Sequence, residues 1–512
     1  MRSPPHLRTA AGIAAFAGLH ALALPPFGLW PLAFVSLVPL LFALQGRRPV
    51  ARALIGGIAG VGVAGATVVA PLVAALTAYF DFAFATALAV ALTIAVLFGG
   101  LGFALFALLA GEAGRDGLGG APRVGLAMAT SELFRSTLLG GLPWLLLGHA
   151  MAPVPELAQL ARWGGVGLLS AALAASNAAL FRLALPTRRP SDAIFAGGLL
   201  LLFTGAALGL PASGGVRGAG PGPAAEGALR VALVQPAVPQ TWRADPARAE
   251  AIRARLASLS EAALPASIVA WPENALTVLM PANADLVART VAAWPAETTL
   301  VLGAPRYDEA RPERRYNSAF RARRDGALEV VRDKAHLVPF TESTPLGITI
   351  AGSARLSAGP RPGAFEVDGE RLGVLICYEM LFRGLVADAV EDGAGVLFNL
   401  SNDGYFGSSA GAEQHLAAVV LAAVETGRPV LRATLDGSTV AIDEAGRVVA
   451  RLEPGRADVL RVDVRPASAE TAALRVAPGF QAAALACALL FLRREMRTTR
   501  SRPSADRDAL DG

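Results

Sequence analysis

The sequence predicts an all-α membrane domain of about eight transmembrane helices carrying one soluble α/β domain. Of the 512 residues, 54% are hydrophobic and only 17% charged, too apolar for an ordinary soluble domain and too long for a single core. The apolar residues are unevenly spread. Residues 1–212 are poor in charge, 228–470 have the mixed composition of a globular domain, and 478–492 turn apolar again. Within the middle region short β-branched runs alternate with amphipathic stretches, the pattern of a sheet covered by helices.

Runs of the roughly 17–25 residues that cross a bilayer lie at about 8–26, 30–46, 53–78, 82–110, 124–150, 160–186 and 193–212, making a membrane domain over 1–212 with seven spans. An eighth span, assigned to 476–493, runs from Pro478-Gly479-Phe480 to Leu492 and is short. Cytoplasmic loops collect arginine and lysine. Here Arg2 and Arg8, Arg47, Arg48 and Arg52, Arg115 and Arg123, Arg188 and Arg189, and the tail Arg493, Arg494, Arg497 and Arg500 fall on alternate loops. The turns near 26–29 and 79–81 have no basic residue, and 150–162 has only Arg162. Both termini, including the tail 494–512, are therefore expected in the cytoplasm, with 213–477 outside: the periplasm of a Gram-negative cell, on its inner membrane. Spans follow the N-terminus at once and no small-residue cleavage site stands out, which argues against a cleaved signal peptide. The net charge of +5 is read as topology rather than a nucleic-acid patch. Gly56-Gly57-Ile58-Ala59-Gly60 predicts close helix packing, and Glu132 and Arg135, three apart on a span, predict a helix-surface ion pair.

Pro211 to Pro223 is too rich in Gly and Pro for regular structure, so 213–227 is assigned as a linker. The soluble domain, 228–470, holds strand-like runs at Leu229–Gln235, Ile268–Trp271, Thr299–Leu302, Leu372–Ile376 and Gly395–Leu400, with helix-like stretches such as Ala247–Ala263 and Ala410–Thr426 between them. Chemistry in such folds sits at strand ends. Glu273 follows one run through Trp271-Pro272, and Cys377 ends another, followed by Tyr378-Glu379. Lys334 follows the pair of runs around Tyr316–Arg321 and Leu328–Val331. It is also the single lysine among 46 Lys and Arg residues. An ammonium converges three donors on one point, as a single developing oxyanion requires, whereas guanidinium is a planar fork. The two cysteines are Cys377 and Cys487, and a disulfide between them would have to join the soluble domain to the last span. Cys377 is thus read as a free, reactive thiol, with a buried apolar role after Val374-Leu375-Ile376 as the alternative. A base, a cation and a nucleophile are the minimum set for covalent acyl transfer.

Trp271-Pro272-Glu273, Lys334 within Lys-Ala-His-Leu-Val-Pro-Phe-Thr-Glu, Ile376-Cys377-Tyr378-Glu379 and Asn399-Leu400-Ser401-Asn402-Asp403 together resemble the nitrilase superfamily. With the flanking spans, and with Glu132-Leu133-Phe134-Arg135 and Leu142-Pro143-Trp144, the chain resembles that superfamily's apolipoprotein N-acyltransferase family over nearly its whole length. The resemblance implies a nitrilase-like αββα sandwich and a ping-pong transfer through a Cys377 thioester. Glu273 would be the base, Lys334 the oxyanion's cation and Cys377 the nucleophile, supported by Glu342, Tyr378 and Glu379. Trp242, Asn402 and Tyr405 would bind substrate. It further implies phosphatidylethanolamine as acyl donor and the N-terminal amine of a diacylglyceryl-cysteine lipoprotein as acceptor.

The chain departs from the family pattern at Thr341, usually Gly, at Tyr405, usually Trp, and at Leu435, where Asn is usual; these bear on acyl-chain choice and acceptor docking. The third span also lacks an expected aromatic cluster near 70–80. Five His without ligand spacing give no reason to expect a metal, no cofactor is expected, and a monomer is. Two other readings stand beside this one: a membrane-anchored amidase using the same triad with water as acceptor, and a transporter whose external domain binds ligand. The transporter would need more ionisable residues inside the spans than Glu132, Arg135, Asp81 and His20.

Overall fold

The structure, a computed structural model, describes residues 4–79, 82–111, 119–209, 215–219, 224, 226–243, 245–339, 341–343, 355–361, 363–406 and 409–500. Arg2, Asp81, Arg115, Pro211 to Gly214, Pro221 to Pro223, Gly407 and residues 501–512 lie outside the described residues.

Among the described residues, five helices are long and apolar enough to cross a membrane: Pro49–Ala78, Phe84–Ala110, Ala161–Leu183, Pro190–Leu208 and Ala472–Arg493. The helical segments Pro5–Ala23, Trp30–Leu44 and Gly120–Arg135 fall short of that mark in length or apolarity. The glycines of the third expected span do set a close crossing. A Cβ on Gly56 would stand 2.3 Å from the Phe103 carbonyl oxygen, and one on Gly60 2.1 Å from that of Gly99.

The run 124–150 is not one helix. It ends at Arg135 and returns as a loop in which Leu139, Gly140, Gly141 and Leu145 all take positive φ, a conformation no helix holds. Pro143, lacking an N–H, then prevents the helix from restarting. Glu132 and Arg135 consequently do not form the expected pair. Glu132 accepts the Leu147 N–H at 2.6 Å and Arg135 donates to the Trp144 carbonyl at 2.5 Å, each satisfying backbone that the broken helix leaves open.

The soluble domain stacks two sheets. The strands are β1 (Val216–Gly218), β2 (Leu229–Gln235), β3 (Ile268–Ala270), β4 (Thr299–Tyr307), β5 (Arg315–Ala322), β6 (Leu328–Asp333), β7 (Ala364–Val367), β8 (Glu370–Ile376), β9 (Val396–Ser401), β10 (Val430–Thr434), β11 (Val440–Ile442), β12 (Val448–Arg451) and β13 (Asp458–Val464). One sheet has the order β1-β13-β2-β3-β4-β5-β6, the other β12-β11-β10-β9-β8-β7. Side chains alternate across each strand. Val231, Leu233, Ile268 and Ala270 meet Val374, Ile376, Phe398 and Leu400 between the sheets. Ala232, Val234 and Val269 turn outward onto the helices Ala249–Glu261 and Ala284–Val291. On the other side, Leu375, Leu397 and Val430 meet the helices Arg383–Glu391 and Gly411–Thr426. This last helix is buried on nearly every residue, because its far side joins one apolar cluster with Leu147, Leu169 and Leu173 of the membrane domain.

Part of the expected linker is a strand. Val216 pairs with Val464 and Gly218 with Val462, main-chain bonds that a Gly-rich segment can make without useful side chains. The last helix runs Ala472–Arg500, starting before residue 476 and keeping Pro478 inside it.

Candidate active site

The three sequence-predicted strand ends converge because of strand direction. β2, β3 and β4 are parallel; β5 reverses and β6 reverses again, so β3 and β6 end on the same edge of their sheet. In the facing sheet β8, β9 and β10 are parallel, and Cys377 follows β8 while Asn402 and Asp403 follow β9. The turn holding Glu273 lies tight against β4: a Cβ on Gly303 would stand 2.6 Å from the Pro272 carbonyl oxygen and 2.7 Å from Glu273 Cα.

Lys334 is 1% exposed, and its ammonium Nζ donates to Glu273 Oε1 at 3.2 Å and to Glu342 Oε1 at 2.9 Å. Burial by itself would lower its pKa; the Glu273 and Glu342 carboxylates, with Cys377, outweigh that and hold the ammonium well above its usual range. An ammonium has three donors, so two carboxylates leave one for a substrate oxygen. Asn317, at the register opposite Pro305 on β5, was not anticipated. Its Nδ2 donates to Glu273 at 2.7 Å and to Glu342 at 3.2 Å, while its backbone carbonyl accepts the Lys334 backbone N–H at 2.8 Å. The only sequence signal for it is its place in the run before Lys334. Glu342 also accepts the Val338 N–H at 2.8 Å, closing the loop that Thr341 continues.

Cys377 takes φ 52 at the turn out of β8, an uncommon conformation for a side-chain-bearing residue. The residue is half-buried, and its thiol is pushed up to about 12, by burial first and then by the Glu273 carboxylate, with Lys334 and Ser401 pulling the other way. At neutral pH it is therefore a protonated thiol that needs a base. Glu379, fully buried, binds Arg332 in a two-pronged ion pair and accepts the N–H groups of Ile376 (2.8 Å) and Ala335 (2.7 Å). One carboxylate thus fixes the cysteine turn and the lysine loop together. Tyr378 points away, its hydroxyl donating to the Gly141 carbonyl at 2.7 Å.

Of the expected substrate-binding residues, Tyr405 lies in the electrostatic field of Arg243, Glu273, Glu342 and Cys377; burial raises its pKa. Asn402 accepts the Gly404 N–H at 3.1 Å and shapes the turn after β9. Trp242 packs against the outer helix layer with Arg248 over its ring at 4.8 Å, while its neighbour Arg243 donates to the Asn274 carbonyl at 2.6 Å, beside Glu273. Arg432, to which sequence reading gave no role, is fully buried. It donates to Asp403 at 2.5 Å, contacts His415 Nδ1 at 3.1 Å and binds Asn399, whose Nδ2 donates to the Cys377 carbonyl at 3.2 Å. Burial would raise the Asp403 pKa; Arg432 and His415 outweigh it and hold the carboxyl well below its usual range. At Leu435, the backbone carbonyl accepts the Ala237 N–H and the side chain is buried.

A mainly apolar cavity opens between the helices Pro49–Ala78 and Phe84–Ala110, lined by Val63, Val68, Phe98 and Phe103, with His20 and Arg135 also in its wall, and reaching Trp144. Trp144 Nε1 donates to Gln414 at 2.7 Å, and its ring lies 5.8 Å from that of Phe406, next to Tyr405.

Residues 230–473 match the Carbon-nitrogen hydrolase family, and residues 16–179 match the Apolipoprotein N-acyltransferase N-terminal domain. An apolipoprotein N-acyltransferase of Rhodopseudomonas palustris is 31% identical over 525 residues, covering 94% of this chain and 95% of the relative. One of Bradyrhizobium diazoefficiens is 33% identical over 520 residues, 92% of each chain. One of Agrobacterium fabrum is 32% identical over 365 residues, 67% of each.

Proposed function

Because the chain belongs to the apolipoprotein N-acyltransferase family, we propose that Glu273, Lys334 and Cys377 carry its reaction, through a thioester on Cys377. The protein is a membrane-bound acyltransferase of lipoprotein maturation with a lipoprotein acceptor. The observation that carries the proposed chemistry is the placement of Lys334 Nζ between the carboxylates of Glu273 and Glu342, at 3.2 and 2.9 Å, in the field of Cys377.

Glu273 takes the Cys377 proton and the thiolate attacks the ester carbonyl of a phospholipid, phosphatidylethanolamine in this reading. Negative charge develops on the carbonyl oxygen, where the third Lys334 donor meets it. Collapse expels the lyso-phospholipid alkoxide, which takes the proton back from Glu273, and leaves the thioester. The lipoprotein α-amine then attacks the thioester carbonyl, Glu273 accepts the amine proton, and Cys377 is released as a thiol once that proton returns to it. Glu342, Tyr378 and Glu379 support the triad, and Trp242, Asn402 and Tyr405 belong to the substrate-binding surface. The cavity between the membrane helices takes an acyl chain, since donor and lipidated acceptor both reside in the bilayer. The catalytic domain is residues 228–470 together with β1, which it takes from the preceding segment 213–227. It faces the periplasm, opposite the arginine-bearing loops of a membrane domain over 1–212 and a last span over 476–493. The termini lie in the cytoplasm, the membrane is the inner one, and the enzyme acts as a monomer.

The test is mass spectrometry of lipoprotein N-termini in cells depleted of the native enzyme and supplied with this chain or its Cys377→Ala form. The native chain should restore the third acyl chain and Cys377→Ala should not. A Cys377→Ala form that restores it defeats the mechanism, and free fatty acid in place of acylated amine would favour the amidase reading.

A further inference from the structure

Two neighbours of the proposed reacting residues donate to consecutive carbonyls of one membrane-domain loop. His336, two residues after Lys334, gives Nε2–H to the Gly140 carbonyl at 2.7 Å. Tyr378, one residue after Cys377, gives its hydroxyl to the Gly141 carbonyl at the same distance. The His336 ring also stacks on Phe382 at the far end of the cysteine turn, with centroids 3.7 Å apart and planes 32° from parallel. A carbonyl only accepts, so His336 must be the tautomer protonated at Nε2. The loop receiving these bonds is itself fixed. Gly141 holds φ 87 where a Cβ would stand 2.1 Å from the Ser136 carbonyl oxygen, and Trp144 is tied to Gln414.

We propose that His336 is a positioning residue: its bond to the Gly140 carbonyl, beside the Tyr378 bond to Gly141, lets the membrane-domain loop set the spacing between Lys334 and Cys377. Adjacent carbonyls on one rigid turn have a fixed separation, so the lysine loop and the cysteine turn are each registered against the same template. Loss of the His336 bond leaves the two loops joined through Glu379 but removes the second, membrane-domain reference that holds Lys334 at its distance from the nucleophile. The inference rests on the assignment of Lys334 and Cys377 given above.

The experiment uses the full-length chain in detergent, with phosphatidylethanolamine carrying a radiolabelled acyl chain, and follows hydroxylamine-sensitive label on the protein. His336→Phe keeps the stacking on Phe382 and deletes the donor. It should slow thioester formation about ten- to hundredfold, in kcat rather than in donor KM, with an unchanged thermal midpoint. His336→Gln carries an amide N–H at a reach comparable to imidazole Nε2 and should recover to within about threefold of the native rate. A His336→Phe form as fast as native, or a folded His336→Gln form as slow as His336→Phe, overturns the proposal. Cys377→Ala, run beside them, separates the two levels: labelled Cys377→Ala protein defeats the thioester assignment itself, whatever His336 does.

Discussion

At the scale of single residues, the site's electrostatics separate two roles that Glu273 could play. As a base it removes the Cys377 proton; as a nearby negative charge it opposes formation of the thiolate, being the second cause of the thiol's rise to about 12. Glu273→Gln should therefore abolish thioester formation and, at the same time, make Cys377 more acidic. Iodoacetamide alkylation followed against pH should show the curve displaced to lower pH in the variant, and an unmoved or upward-moved curve would contradict this account. The sign of the stability effect follows from the same shift. A thiol raised from an ordinary 9.0 to about 12 favours the folded state fully below pH 9, and that contribution is lost as pH rises toward 12. Native protein should lose thermal stability over that window more steeply than Cys377→Ala. For Lys334→Arg, the fork fits neither the pocket between Glu273 and Glu342 nor a single oxygen. The variant should keep its far-ultraviolet circular dichroism yet form thioester about a hundred- to a thousandfold more slowly.

At the scale of elements, the site depends on how closely β4 passes the Glu273 turn. An added methyl at Gly303 meets backbone at 2.6–2.7 Å, so the turn must move by several tenths of an ångström. Gly303→Ala should cost about 1–3 kcal/mol in stability and slow thioester formation about tenfold or more, read by thermal unfolding and by burst kinetics. This dependence shows what a single sequence makes legible. Strand ends carrying Glu273, Lys334 and Cys377 were readable because apolar runs stop abruptly at polar residues. Asn317 was not, since its role arises from the antiparallel return of β5 beside β6 and no local pattern encodes that register. Arg432 reads as one more arginine until burial beside Asp403 and His415 gives it partners. The single helix expected over 124–150 failed for a local reason that was present: Gly140-Gly141 and Pro143 are breakers, masked by the apolar residues around them. The strand inside the linker was hidden for the opposite reason, because β1 pairs through its main chain.

At the scale of the whole molecule, the two parts are joined through a helix that serves both. Gly411–Thr426 covers the six-stranded sheet on one side and meets membrane-domain residues on the other, so either partner alone leaves an apolar face uncovered. Polar contacts reinforce the junction. Gln414 donates to the Thr67 carbonyl at 2.9 Å, Gln159 to the Ala445 carbonyl at 2.9 Å, and Glu425 accepts the Val166 N–H where Gly164 and Gly165 break the helix Ala161–Leu183. Removing the membrane domain would strip these partners and expose the apolar face of this helix, a contiguous patch of the kind that drives soluble chains to associate. A fragment of residues 213–470, which keeps β1, should therefore self-associate and bind an apolar dye strongly. It should also fail to form a thioester even from a short-chain, water-soluble ester, because Tyr378 and the loop bearing Lys334 lose their bonds to Gly141 and Gly140. Size-exclusion chromatography with light scattering, dye fluorescence and hydroxylamine-sensitive labelling measure the three outcomes. A monomeric fragment that labels at the rate of the full chain would mean that the membrane helices only hold the enzyme near its lipids; an associating, unlabelled fragment means that they are part of the active site's construction.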